Sequence, residues 1–131
     1  KMEQSDLVFQ KLKAKEKEHY DLEDEYLKRK ATFTNQYNEL YERRDRLARI
    51  IEDEASKMDV FLQKGQHSYQ DGEQFYRSLQ QLMEDSQFAC RRREDELQYH
   101  EEMLDRDYRK KQDELEQTIG DLRRSYARTI K

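Results

Sequence analysis

The segment Gly65-Gln66-His67-Ser68-Tyr69-Gln70-Asp71-Gly72 decides how this chain folds. It lies almost at the midpoint of 131 residues and contains two of the three glycines in the sequence. The flanks on both sides are rich in charged side chains and carry apolar residues at intervals of three and four. Such intervals place apolar side chains on one face of an α-helix. The sequence therefore predicts an all-α fold, a long antiparallel hairpin of two helices that this segment joins.

The composition limits the kind of protein that can form. Charged residues make up 43% of the chain and hydrophobic residues 34%, which is too little apolar surface for a large core. Low hydrophobicity with many charges is also typical of disordered chains. However, 26 basic and 30 acidic residues nearly cancel, proline is absent, and Glu, Lys, Arg, Gln and Leu are abundant. These residues favour long helices, so we expect ordered helix.

The first helix is predicted over residues 5–64. An exact seven-residue series runs from Leu12 to Leu47, and apolar residues flank it at three or four positions. The flanking register drifts along the chain, as expected when a helix of 3.6 residues per turn meets a repeat of seven. The residues predicted to pack against the second helix or a partner are Leu22, Tyr26, Phe33, Tyr37, Leu40, Leu47 and Ile51.

The second helix is predicted over residues 73–129, with Phe75, Leu97, Leu104, Leu115 and Leu122 as its packing residues. Between Cys90 and Leu104 the expected packing positions hold Arg93 and His100. We therefore expect the packing to be weakest there. Gly120 interrupts the apolar pattern at a cost of about 1 kcal/mol relative to alanine, and it marks either a close contact or a frayed end.

The turn is predicted over residues 65–72. Gly65 follows the last periodic residues of the first helix and suits a left-handed C-terminal cap. Asp71, with Gln74 three residues later, has the spacing of an N-cap and capping box. The second helix should therefore begin near Gly72.

A turn centred near residue 68 or 69 also predicts the register. The numbers of facing residues should sum to about 137 in an antiparallel pair of helices. This register brings Leu40 near Leu97, Phe33 near Leu104 and Leu22 near Leu115. It also places Arg44 opposite Arg93, where the carboxylates of Asp45 and Glu94 could balance the two cations.

The residues that could carry chemistry do not form a catalytic or metal site. A metal site in a helical bundle needs two Glu-x-x-His motifs, and only Glu16 and His19 form one. Cys90 has no histidine within helical reach and suits a small apolar packing position, while glycine-rich phosphate loops are absent. We therefore expect a non-enzyme with no catalytic residues, no cofactor and no metal.

Nucleic-acid binding and membrane insertion are not expected either. The basic runs are interrupted by acidic residues, so no net basic face is predicted. No apolar run approaches the length of a membrane span, and no signal peptide is recognisable. Both observations favour a soluble protein.

The aromatic residues leave two interpretations open. Tyr26, Phe33, Tyr37 and Tyr41 could fill the space between the helices, or they could form an anchor surface for a partner. Two helices that share one stripe should also leave other apolar residues uncovered. These are Phe9, Leu27, Ile50, Val60, Tyr76, Phe88 and Tyr99, and we expect some of them to contact another chain.

The hairpin pattern resembles the WXG-type (Esx-like) superfamily. The residues Gln74–Leu79 after the turn and the charged helix from Glu94 to Gln117 are similar to the small helical partner proteins of LXG toxins in bacterial type VII secretion. The resemblance implies a cytoplasmic bacterial protein that binds the helical N-terminal domain of a toxin, directs it to the secretion system and is exported with it in some cases. It also implies a second small helical protein in the complex, or a homodimer where the partner is absent.

The chain departs from that pattern at two motifs. It has no Trp-x-Gly at the turn, where Tyr69 and Gly72 stand instead, and no phenylalanine is followed by aspartate four residues later. The resemblance therefore places it in the branch without the Phe-x-x-x-Asp secretion signal. The alternative is a structural coiled-coil segment, or self-associating scaffold, of a larger protein.

Overall fold

Two long helices make up the fold. The computed structural model describes residues 3–65 and 69–130. Helix α1 spans Gln4–Lys64 and helix α2 spans Tyr69–Thr129. The helices pack against each other, which confirms the prediction of an all-α helical hairpin.

The boundary of α2 differs from the prediction. The helix begins at Tyr69 and not at residue 73, so Asp71 and Gly72 lie in its first turn. Asp71 is therefore not the N-cap, although its negative charge suits the positive end of the helix dipole. Residues 66–68 of the predicted turn lie outside the described residues.

The two glycines that bracket the predicted turn do not have the roles that the sequence indicated. No glycine of the described residues has a positive φ, so the left-handed cap predicted at Gly65 is not found. Gly72 is buried, and a Cβ atom added there would lie 2.6 Å from Leu62 Cδ1. Gly72 is therefore a point of close contact between α1 and α2.

Gly120 lies inside α2, nine residues before its end at Thr129. A Cβ atom added at this position would meet only the guanidinium of Arg124, with the nearest atom 3.6 Å away. Neither sequence interpretation holds, because the position is neither a close contact nor a frayed end.

The packed helices divide into two compact units. The terminal unit contains Lys1–Phe33 and Tyr99–Lys131, and the central unit contains Thr34–Gln98. Each unit therefore pairs a segment of α1 with a segment of α2.

The predicted register is accurate to within one helical turn. Leu22 and Leu115 line the same groove in the terminal unit, as expected. In that unit His19 contacts Glu116, which lies two positions before the residue that the predicted register places opposite it. α1 ends at Lys64 and α2 begins at Tyr69, so the midpoint of the connection lies before the predicted centre of the turn. Each residue of α1 therefore faces a residue of α2 with a lower number than predicted.

Candidate protein-binding site

The predicted packing residues are all buried or half-buried. Leu97 is the most buried of them, with 2% of its surface exposed, and Ile51 is also buried. The others are half-buried between the helices: Leu22, Tyr26, Phe33, Tyr37, Leu40, Leu47, Phe75, Leu104, Leu115 and Leu122. Half-burial is the expected state in a two-helix structure, because one neighbouring helix covers only part of each side chain.

Three further residues belong to the buried core. Leu12, Cys90 and Ile119 are buried, although the predicted packing set did not include them. The signal was present in the sequence, since Leu12 begins the seven-residue series and Ile119 follows Leu115 by four positions.

The expectation of weakest packing between Cys90 and Leu104 is wrong for the first half of that segment. Cys90 and Leu97 are both buried, and they lie seven residues apart on one face of α2. Arg93 and His100 are exposed. The helix turns these polar side chains outward, so they do not interrupt the apolar contact.

A polar cluster joins the helices in the terminal unit. The hydroxyl of Tyr26 donates a hydrogen bond of 2.7 Å to Asp105 Oδ1. Lys30 Nζ lies 2.9 Å from Glu101 Oε2 and 3.2 Å from Asp105 Oδ1. The ring of Tyr26 stacks on that of Tyr108, with centroids 3.9 Å apart. Because these groups must align along both helices, the cluster selects one register.

The cluster changes the acidities of its members. The hydrogen bond from Tyr26, followed by the charge and hydrogen bond of Lys30, holds the pKa of Asp105 below its usual value despite partial burial. The same hydrogen bond, together with burial, raises the pKa of Tyr26. The pKa of Lys30 is raised mainly by its hydrogen bond to Glu101. The arrangement therefore stabilises a neutral tyrosine, a cationic lysine and an ionised aspartate.

A second interhelical contact lies in the central unit. The hydroxyl of Tyr41 donates to Glu94 Oε2 at 3.1 Å, and the thiol of Cys90 lies 3.6 Å from Glu94 Oε1. Burial raises the pKa of the Cys90 thiol, and the charge of Glu94 raises it further. Cys90 is thus held as a protonated packing residue.

One of the two arginines near this contact has the carboxylate that the sequence suggested, and the other has a different one. Arg44 Nε donates to Asp45 Oδ1 at 3.0 Å and its guanidinium lies 4.8 Å from the ring centroid of Tyr41. Arg93 instead bonds Glu96, with 3.3 Å between Nη1 and Oε2. Each arginine therefore has an acidic neighbour on its own helix.

The four aromatic residues for which the sequence left two interpretations open are partly covered, and two of them reach α2. Tyr26, Phe33, Tyr37 and Tyr41 are all half-buried, and Tyr26 and Tyr41 bond residues of α2. Of the two interpretations of these rings, the structure supports interhelical packing.

Most of the apolar residues predicted to be uncovered are exposed. Of the seven, only Tyr76 is half-buried, and its hydroxyl donates to Asp59. The exposed residues are Phe9, Leu27, Ile50, Val60, Phe88 and Tyr99. Tyr20 is also exposed, over 70% of its surface, and the sequence reasoning missed it because no apolar stripe includes it.

Three of these residues share one face of α1 in the terminal unit. Phe9, Tyr20 and Leu27 are separated by eleven and seven residues, which correspond to about three and two helical turns. Their exposed fractions are 42%, 70% and 58%. We call this set the apolar face.

Charged side chains border the apolar face. Lys13 Nζ lies 5.3 Å from the ring centroid of Phe9, and Lys28 Nζ lies 2.9 Å from Asp24 Oδ2. The ring of Phe9 also lies 5.7 Å from that of Tyr126 on α2, which holds one end of the face in place. Apolar anchors inside a charged rim are the usual composition of a protein interface.

The two residues of the one Glu-x-x-His motif contact different side chains. Glu16 lies 3.8 Å from Lys13 Nζ and 4.0 Å from Arg123, whereas His19 Nε2 faces Glu116 at 3.6 Å. Within residues 3–65 and 69–130, no three His, Cys, Asp or Glu residues are grouped so that they could hold a metal ion.

Neither helix offers a membrane span. In the described part of the chain, no helical stretch is both long and apolar enough to cross a bilayer.

Comparison with known proteins gives no match to any protein-family model, to any curated protein or to any solved structure.

Proposed function

We propose that this chain is a non-catalytic helical partner protein, which binds the helical N-terminal domain of a secreted toxin and helps to direct it to a type VII secretion system. The observation that carries the proposal is the apolar face of Phe9, Tyr20 and Leu27, exposed on a helix whose other apolar side is already used. The identity of the partner rests on the resemblance of the sequence to LXG-toxin partners.

The energetics of the apolar face favour a protein partner. Fully burying one leucine or phenylalanine side chain contributes about 1.5–3 kcal/mol. A helix of the partner that lies along α1 can cover all three residues, because they repeat at whole numbers of helical turns. Tyr20 is then the central anchor, since tyrosine often carries much of the binding energy of an interface.

The second candidate function is a self-associating scaffold segment of a larger protein. It is favoured by exposed apolar residues in the central unit, where Ile50 and Val60 lie outside the packed side of α1. A scaffold would bury such residues between copies of the chain without a toxin partner.

Co-expression with the N-terminal domain of an LXG-type toxin from the same genome tests the proposal. We expect a stable complex to co-purify, and the double variant Tyr20→Ser, Leu27→Ser to lose it. The matched control is Tyr99→Ser, which also removes an exposed ring in the terminal unit but leaves the apolar face intact.

Three outcomes would count against the partner function. These are no co-purification with the wild-type chain, retention of the toxin domain by the double variant, and equal loss in the Tyr99→Ser control. A homo-oligomer that forms without any toxin domain and fails to bind one would instead favour the scaffold.

A further inference from the structure

A groove with an apolar floor runs between α1 and α2 in the terminal unit. The half-buried leucines Leu22 and Leu115 line it. Carboxylates from both helices surround them: Glu18, Asp21 and Glu25 on α1, and Glu114 on α2. We call this set the acidic groove.

Negative charge predominates around the acidic groove. Its only basic lining residues among those described are Lys15 and Lys111, and Lys15 already bonds Glu18 at 3.2 Å. Asp21, Glu25 and Glu114 make no ion pair within the part of the chain that the structure describes. The groove therefore suits a helix that presents basic and apolar side chains on one face.

The central unit carries a helix face of that chemistry. Arg43, Arg46 and Ile50 are exposed on α1 at spacings of three and four, which place them on one side of the helix. Half of the Ile50 surface is exposed. Neither arginine forms an ion pair within residues 3–65 and 69–130. We call this set the basic flank.

The two surfaces also agree in length. Arg43 and Ile50 are seven residues apart, and so are Glu18 and Glu25, which is about 10 Å along each helix. Guanidinium groups bind carboxylates with two parallel hydrogen bonds, so arginine is well suited to such a rim. Ile50 can at the same time cover the leucine floor.

We propose that the acidic groove of one copy binds the basic flank of a second copy of this chain, and that the groove of the second copy binds the flank of the first, so that two copies form a closed dimer. Charge complementarity selects the occupant, because among the described residues Asp21, Glu25 and Glu114 of the groove and both arginines of the flank form no ion pair. The contact goes beyond the proposed function and does not depend on it, since none of its residues belongs to the apolar face.

Charge reversal at each surface tests the contact by sedimentation equilibrium in low-salt buffer. One variant combines Asp21→Lys with Glu25→Lys, and the other combines Arg43→Glu with Arg46→Glu. We expect the wild-type chain to dimerise and each variant to dimerise about ten-fold more weakly or worse, because two attractive pairs become repulsive. Added salt should weaken the wild-type dimer.

The control variant combines Arg91→Glu with Arg106→Glu, which gives the same change in net charge at exposed arginines outside the basic flank. It should dimerise like the wild type. Circular dichroism shows whether each variant keeps its helices. Variants that lose them are replaced by Asp21→Asn with Glu25→Gln, or by Arg43→Gln with Arg46→Gln, which should weaken the dimer in the same direction.

Mixing the two reversed variants gives the decisive result. Each reversed groove then meets a reversed flank of opposite charge, so the equimolar mixture should recover the dimer. A wild-type chain that stays monomeric, reversed variants that dimerise like the wild type, or a mixture that stays monomeric would each overturn the proposal.

Discussion

The hydroxyl of Tyr26 on α1 lies 2.7 Å from Asp105 on α2 and donates a hydrogen bond to its carboxylate. The two residues are 79 positions apart in the chain, so this bond exists only when the helices pack in one register. The stacking of Tyr26 on Tyr108 places the hydroxyl where it meets Asp105.

Breaking this bond should destabilise the hairpin measurably. We expect Tyr26→Phe and Asp105→Ala each to lower the free energy of unfolding by about 1 kcal/mol, since each removes a partly buried hydrogen bond. The double variant should lose less than the sum of the two losses. Chemical denaturation of the four proteins measures the coupling, and Asp107→Asn on the exposed side of α2 serves as a control with little effect. Strict additivity would show that the bond contributes nothing.

The same aspartate should make stability depend on pH in the acid range. The pKa of Asp105 is lower in the folded protein than its usual value, mainly because of the hydrogen bond from Tyr26. The ionised form therefore stabilises the fold above the unfolded pKa of about 3.9, and the contribution disappears as the pH falls through the lower folded pKa. The stability difference between the wild type and Asp105→Asn should shrink between about pH 5 and pH 2. A difference that stays constant would contradict the assigned shift.

Leu97 should be the most sensitive position of the predicted packing set. With 2% of its surface exposed, it has close neighbours on all sides, and Leu97→Ala would leave a cavity. We expect a loss of about 2–4 kcal/mol in the free energy of unfolding. Leu82→Ala, on the same helix but 45% exposed, should cost clearly less. Equal losses would mean that Leu97 is not a centre of packing.

The two glycines of α2 should respond differently to alanine. Gly120→Ala should stabilise the protein by about 0.5–1 kcal/mol, because alanine favours helix and the new methyl group has room. Gly72→Ala should gain less or lose stability, because Leu62 must move away from the new Cβ atom. The midpoints of thermal unfolding of the two variants, each compared with the wild type, measure this difference in stability.

The same glycine substitution in a Leu62→Ala variant tests whether the contact with Leu62 is the cause. When Leu62→Ala has removed the obstructing side chain, Gly72→Ala should recover the helix-propensity gain seen at Gly120. If Gly72→Ala is equally stabilising with and without Leu62, the close contact does not limit that position.

Replacement of the turn tests whether the reversal of the chain is needed. Residues 65–72 can be exchanged for eight residues of alanine, glutamate and lysine, which favour continuous helix. We expect the helices to separate, with a larger radius of gyration in X-ray scattering and loss of partner binding. The unaltered chain is the reference, and an equally compact replacement variant would show that packing alone brings the helices together.

Much of the fold could be predicted from local patterns. The intervals of three and four between apolar residues predicted both helices, and the twelve packing residues are all buried or half-buried. The exposed set was also largely correct, since Phe9, Leu27 and Ile50 fall outside the stripes that two helices can share. These properties follow from the periodicity of a single helix, which the order of residues specifies directly.

Other features depend on how the second helix meets the first. The sequence predicts that Gly72 is a turn residue, but in the structure it lies where the side chain of Leu62 on α1 closely approaches α2. The joint role of Tyr26, Lys30 and Asp105 could not be predicted, because the long side chains of Tyr26 and Lys30 reach across the interface to an aspartate that the predicted register does not place opposite either of them.

The sequence by itself determined that this protein is a pair of long amphipathic helices, because helix propensity and apolar spacing act over only a few residues. The tertiary structure alone decided the exact register and the polar cluster at Tyr26 and Asp105. Those features depend on distances between residues far apart in the chain, and such distances exist only once the two helices have packed.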